Sequence, residues 1–143
     1  MSYEYQAKHL EMIQGVINRM AANSFLIKGW TLTIVTALIA LDIKGPKGNV
    51  VCGLFPAIVF WCLDAYYLRQ ERLFRKLHEA IVTDVKDNTT RVPLFDMRTR
   101  TVESDVQPVW RVMFSGSMLM FYLVIVFVIL GVMVLGVSKS PAH

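Results

Sequence analysis

The sequence predicts an all-α integral membrane protein with three transmembrane helices, the first two an antiparallel hairpin extended by a cytoplasmic two-helix stalk. Three observations lead there. Of 143 residues, 55% are hydrophobic and 18% charged, against about 45–50% and about 25% in a soluble domain. Three stretches reach the roughly 20 mostly apolar residues that a spanning helix needs. A Gly-Pro turn too short for anything but a reversal separates the first two. The same figures exclude disorder, a collagen-like repeat and a disulfide-stapled secreted scaffold. At this length the prior is a single membrane domain, residues 1–143.

Residues 4–23 open the chain with Leu10, Ile13, Ile17 and Met20 at spacings of three and four, between Glu4, Lys8, Glu11, Gln14 and Arg19. That pattern is an amphipathic helix with a narrow apolar seam. No Pro or turn signal separates it from the first span, residues 24–43, so the two read as one helix. The turn Lys44-Gly45-Pro46-Lys47-Gly48 leads into the second span, residues 49–68. Residues 69–83 continue it as a second amphipathic helix, with Tyr67, Gln70, Phe74, Leu77 and Ile81 as a stripe and fraying expected near Asp84–Thr90. Residues 84–108 form a polar connector in which 91–95 and 97–102 alternate in a β-like way. Ser104 or Asp105 is placed to cap the third span, residues 109–137, with Pro108 in its first turn. Ser115, Gly116, Ser117, Gly131 and Gly136 would let that span approach a neighbour closely, although no GxxxG spacing occurs and its Phe and Val content equally suits plain lipid exposure.

Lys and Arg set the orientation. Of the 15, all but Lys44, Lys47 and Lys139 fall on the side of the N-terminal arm and connector. The N-terminus and residues 69–108 are therefore expected in the cytoplasm and the C-terminus outside. Trp30, Trp61 and Trp110 lie a few residues from the cytoplasmic ends, where indole rings anchor at the interface.

If the hairpin turns about Pro46, residues whose numbers sum to about 92 lie level. Lys28 and Asp64 meet that condition, and a lone charge in hydrocarbon costs about 2.5–3.5 kcal/mol on insertion scales. The expectation is a Lys28–Asp64 ion pair. It would clamp the hairpin, or both side chains would snorkel to the nearby interface, or the pair would serve ion or proton movement. The run Arg69, Arg72, Arg75 and Lys76 marks topology and suits anionic headgroups, each residue contributing on the order of 1 kcal/mol. A nucleotide phosphate or an acidic partner is the alternative ligand.

No phosphate loop, HExxH, CxxC or nucleophile elbow occurs, so neither an enzyme nor a cofactor is expected. Cys52 and Cys62 read as small packing residues, too far apart on one helix for a bridge. His9 and His78 lie on the two stalk helices about a turn and a half from level, and read as solvated rather than metal-binding. The net charge of +4 comes mostly from these cytoplasmic arginines and does not argue for nucleic acid.

NRMAANSFLIKGW and FWCLDAYYLRQERLFRKL, the hairpin and its exit, are similar in layout to the SLATT family of small bacterial membrane proteins. The resemblance covers about residues 5–82, and the third span departs from the two-span pattern. It implies the bacterial inner membrane and a role as effector or accessory in an anti-phage conflict system. Three spans from one subunit cannot enclose a pore, so that role requires a homo-oligomer. The competing expectation is a non-catalytic adaptor that recruits a cytoplasmic protein through its basic stalk.

Overall fold

The computed structural model describes residues 3–44, 52–87, 89 and 91–138, and among them the chain is helical without a strand. Helix α1 is Tyr3–Lys44 and α2 is Leu54–Asp87; a 3-10 helix covers Thr99–Asp105, and α3 (Val109–Met113) and α4 (Gly116–Ser138) follow. The Gly45-Pro46-Lys47-Gly48 part of the turn lies outside the described residues.

The N-terminal arm and first apolar segment form one helix of 42 residues, as the lack of any breaker between them requires. Two helices, α1 and α4, are long and apolar enough to cross a membrane. Helix α2 does not pass that test by itself. Its apolar part within the helix runs only from Leu54 to Leu68, about 22 Å at 1.5 Å per residue, with Asp64 inside it. Asn49–Val51, the rest of the expected second span, lie outside the described residues.

α1 and α2 make the most extensive helix pair, with opposite chain senses. Gly53 lies against Leu38 and Val35, Asp64 against Ser24 and Lys28, and Leu73, Leu77 and Ile81 against Ile13 and Ile17. A Cβ at Gly53 would stand 3.3 Å from Leu38 Cδ1, so that side chain would have to shift by a few tenths of an ångström to admit one.

Two cores result. One joins Val35, Ala57, Ala65, Met118, Tyr122, Ile125 and Ile129 from α1, α2 and α4. The other joins Ile13, Ile17, Leu73, Leu77 and Ile81 in the stalk with Val102 from the connector. The stalk stripe on α2 is thus rotated toward Leu73, with Phe74 only partly buried.

Several local expectations change. The third apolar segment is interrupted: Phe114 and Ser115 separate α3 from α4, in a Ser-Gly-Ser sequence of poor helix formers. Neither Ser104 nor Asp105 caps α3; Pro108 does, its carbonyl accepting from the Arg111 and Val112 amides. The β-like alternation of the connector does not become a strand, because it has no partner edge and packs on helices instead. Cys52 and Cys62 are exposed rather than packed.

Candidate functional site

The most unusual chemistry lies in the apolar half. Ser24, Lys28 and Thr31 recur at the spacing that puts them on one face of α1. That face meets α2 at Asp64, whose side chain is 0% exposed. Lys28 Nζ is 2.5 Å from Asp64 Oδ2. Ser24 Oγ donates to Asp64 Oδ1 and accepts from Lys28 Nζ at 3.0 Å. Tyr122 Oη, from α4, donates to Asp64 Oδ2 at 3.3 Å. Thr31 returns its hydroxyl to the Ile27 carbonyl at 2.8 Å.

One carboxylate therefore collects donors from two other helices, and one ammonium balances its charge. Lys28 keeps its side chain 25% exposed while Asp64 is sealed, so the cation reaches the surface and the anion does not. Ser24 is buried and its hydroxyl is committed to Asp64. The Ser24–Lys28 contact thus presents no activated nucleophile to a substrate.

Trp61 closes the centre from one side. Its ring stacks on Tyr122 at 5.6 Å, and its Nε1 donates to the Met113 carbonyl at 3.1 Å. The α3–α4 break frees that carbonyl from helical bonding, and the indole satisfies it. Trp61 is accordingly a packing residue, whereas Trp30 and Trp110 are exposed on the surface. Ser115 Oγ, at the same break, is buried without a hydrogen-bond partner among the described residues.

The basic run is not a free cationic patch. Arg69 pairs with Glu103 and donates to the Gln107 carbonyl, Arg75 pairs with Glu71, and Lys76 pairs with Glu79. Arg72 lines a shallow groove with Arg75, Lys76, Glu79 and Asp105. The Glu79 hydrogen bond and charge hold the Lys76 ammonium above its ordinary pKa. Counting cations along the sequence missed the carboxylates that the 3-10 helix brings across.

The connector is a strap clasped to the stalk. Asp84, at the end of α2, accepts from the Arg91 and Val92 amides at 2.8 and 2.9 Å and from Thr89 Oγ1 at 2.9 Å. Burial pushes the Asp84 carboxyl up, but these bonds together with Arg91 outweigh it and hold the group below its usual range. Further along, Asp96 is held low chiefly by its hydrogen bonds from Arg98. Phe95 adopts a left-handed backbone with φ 61°. Its ring lies 5.8 Å from His9, and His9 Nε2 is 3.2 Å from the Asp96 carbonyl oxygen.

His9 is thus buried rather than solvated, with 1% exposure, and it faces the strap, not His78. Among the described residues no His, Cys, Asp and Glu side chains group as a metal site.

No protein-family model, curated protein or solved structure matches this chain. The functional reading therefore rests on the geometry. The sequence brought Lys28 and Asp64 to notice through their shared level, but not Ser24, Tyr122 or the strap. Tyr122 did leave a signal, as the one tyrosine in the uncharged stretch Met113–Val137.

Proposed function

We propose that this chain is a three-span protein of the bacterial inner membrane that assembles as a homo-oligomer and perturbs the membrane as an effector or accessory of an anti-phage conflict system. The observation that carries the membrane part is an apolar exterior shared by three helices around a polar centre. Phe25, Trp30 and Leu32 on α1, Phe55 and Ile58 on α2, and Met120, Phe127 and Val134 on α4 are all more than half exposed. Only 22% of the apolar window of either α1 or α4 is buried. A soluble monomer rarely carries exposed apolar surface on this scale.

The short second span is compatible with crossing because Lys28 neutralises Asp64, removing most of the cost of carrying that charge into lipid. The α1–α2 pair then forms a transmembrane hairpin with α4 beside it, and the stalk and strap lie in the cytoplasm. The polar centre of one subunit is filled by its own side chains, so any permeation path runs between copies. The SLATT-like layout of residues 5–82 supplies the conflict-system part of this reading. Recruitment of a partner by the basic stalk is disfavoured, because Glu71, Glu79 and Glu103 already take three of its four cations.

Induced expression in a bacterial host, followed with a potential-sensitive dye and by the mass of the detergent-extracted complex, tests the proposal. The expected result is carbonate-resistant protein, a discrete homo-oligomer and depolarisation. Carbonate-soluble protein would overturn the membrane reading. A membrane-bound monomer with unchanged potential would overturn the effector reading.

A further inference from the structure

We propose that the Trp110–Arg111 pair on α3 is a binding site for an anionic lipid headgroup at the cytoplasmic face. This deepens the membrane reading above and rests on it. The basic run Arg69–Lys76 is the obvious headgroup site by sequence, yet its charges are largely taken by carboxylates of the same chain.

Arg111 differs in each respect that matters. It has no carboxylate within 4 Å among the described residues, while its guanidinium carbon lies 5.0 Å from the centroid of the Trp110 ring. Stacking on an aromatic face orients an arginine and leaves its N–H edge free for the bidentate bonds that phosphate accepts. Trp110 and Phe114 are 58% and 60% exposed, forming an apolar shoulder beside the cation.

The level of the site suits a headgroup as well. Val109 and Met113 pack on the same core as Trp61 and Leu68, so α3 lies beside the end of the apolar part of α2, where charged residues begin. The α3 turn with its C-cap residue Phe114 presents cation, indole and phenyl there, matching a phosphodiester above and acyl chains below.

The test is native mass spectrometry of the full-length protein, released from nanodiscs of equal phosphatidylglycerol and phosphatidylcholine. The wild type should retain phosphatidylglycerol preferentially, and Arg111→Gln should reduce that preference roughly fivefold, the value of one basic contact. Arg111→Lys should fall between them, since it keeps charge but not the planar edge. Arg75→Gln with Lys76→Gln should match the wild type.

Equal retention of the two lipids by the wild type overturns the site while leaving membrane insertion standing. So does an Arg111→Gln protein with undiminished preference, or a loss confined to the Arg75/Lys76 variant. Displacement of the lipid by millimolar glycerol 3-phosphate would identify a free-phosphate site and overturn the lipid assignment. Failure of the wild type to enter nanodiscs, together with carbonate solubility, would instead overturn the membrane reading itself.

Discussion

The two halves of the α1–α2 pair both have apolar cores but differ in what else the seam holds and in what faces outward. In the stalk, Ile13, Ile17, Leu73, Leu77 and Ile81 meet in the middle and ion pairs such as Lys8–Glu11 and Lys76–Glu79 lie outside. In the apolar half, a carboxylate and an ammonium sit between the helices beside the core of Val35, Ala57 and Ala65, and Phe25, Phe55 and Phe127 lie outside. If the apolar half lies in a bilayer, as proposed above, the same two helices cohere by different forces. Where water surrounds a helix pair, burying apolar area drives contact; where lipid surrounds it, apolar contact gains little and polar bonds specify the partner.

The largest effect that follows is at the buried carboxylate. Asp64→Ala removes the acceptor of Ser24, Lys28 and Tyr122 together and leaves an unpaired ammonium. Breaking a buried pair from one side costs about 3–5 kcal/mol. Denaturation in mixed micelles should show that loss, and α4 should become more accessible to protease. Lys28→Met combined with Asp64→Leu should recover most of it, since replacing both charges leaves none unpaired. A double variant as unstable as Asp64→Ala would mean that Tyr122 and Ser24, rather than the charge pair, hold the centre.

In the stalk the corresponding change is Leu77→Ala. Leu77 is 0% exposed, and truncating a buried leucine costs about 2–5 kcal/mol. The comparison is sharpened by where each defect appears. Leu77→Ala should raise amide exchange in residues 8–20 and 70–84 and leave the Asp64 region protected; Asp64→Ala should do the reverse. Overlapping patterns would mean that the long helices transmit disorder and that the halves are one cooperative unit.

These two residues also mark what the sequence could convey. Helix existence and the Lys28–Asp64 level follow from local apolar spacing and from one reversal, information that resides within the hairpin. The azimuth of α4 does not: the residues around Tyr122 are apolar on every side, so no stripe points it at Asp64. The strap was illegible for a related reason. Its fixings are a buried His9, a left-handed Phe95 and an Asp84 carboxylate that binds main-chain amides, and none has a spacing rule. The basic run misled because its cations were counted without their partners: Glu71 and Glu79 lie on the same helix, and Glu103 arrives from 34 residues away.

A smaller effect concerns the strap alone. Asp84→Asn keeps one acceptor oxygen for the Arg91 and Val92 amides but removes the carboxylate charge that strengthens both bonds, at a cost of about 1 kcal/mol. Exchange at those two amides should accelerate while the stalk helices keep their protection. The pH dependence has the same source. Asp84 and Asp96 titrate below the ordinary value of 3.8 in the folded chain. Their contribution is therefore present above that value and is lost as pH falls through the lowered folded values. Acid should loosen the strap in wild type, and Asp84→Asn should remove part of that dependence. An unchanged acid profile would shift the role to Asp96 and Arg98.

The smallest effect is the most discriminating test of the basic run. Arg75 and Arg69 are both paired arginines on α2, six residues apart, but they pair differently. Arg75 reaches Glu71 on its own helix at 2.7 Å with its side chain 60% exposed. Such pairs contribute about 0.3–0.5 kcal/mol, so Arg75→Gln should leave stability almost unchanged. Arg69 is 16% exposed and bonds both Glu103 and the Gln107 carbonyl, joining α2 to the strap. Arg69→Gln should cost about 1–2 kcal/mol, with faster exchange confined to residues 99–107. The difference between the variants should survive 0.5 M salt, because direct hydrogen bonds persist where a diffuse field is screened. Equal losses at low salt that vanish together at high salt would make the run a general electrostatic feature, and the strap would then be held by Asp84, His9 and the packing of Val102.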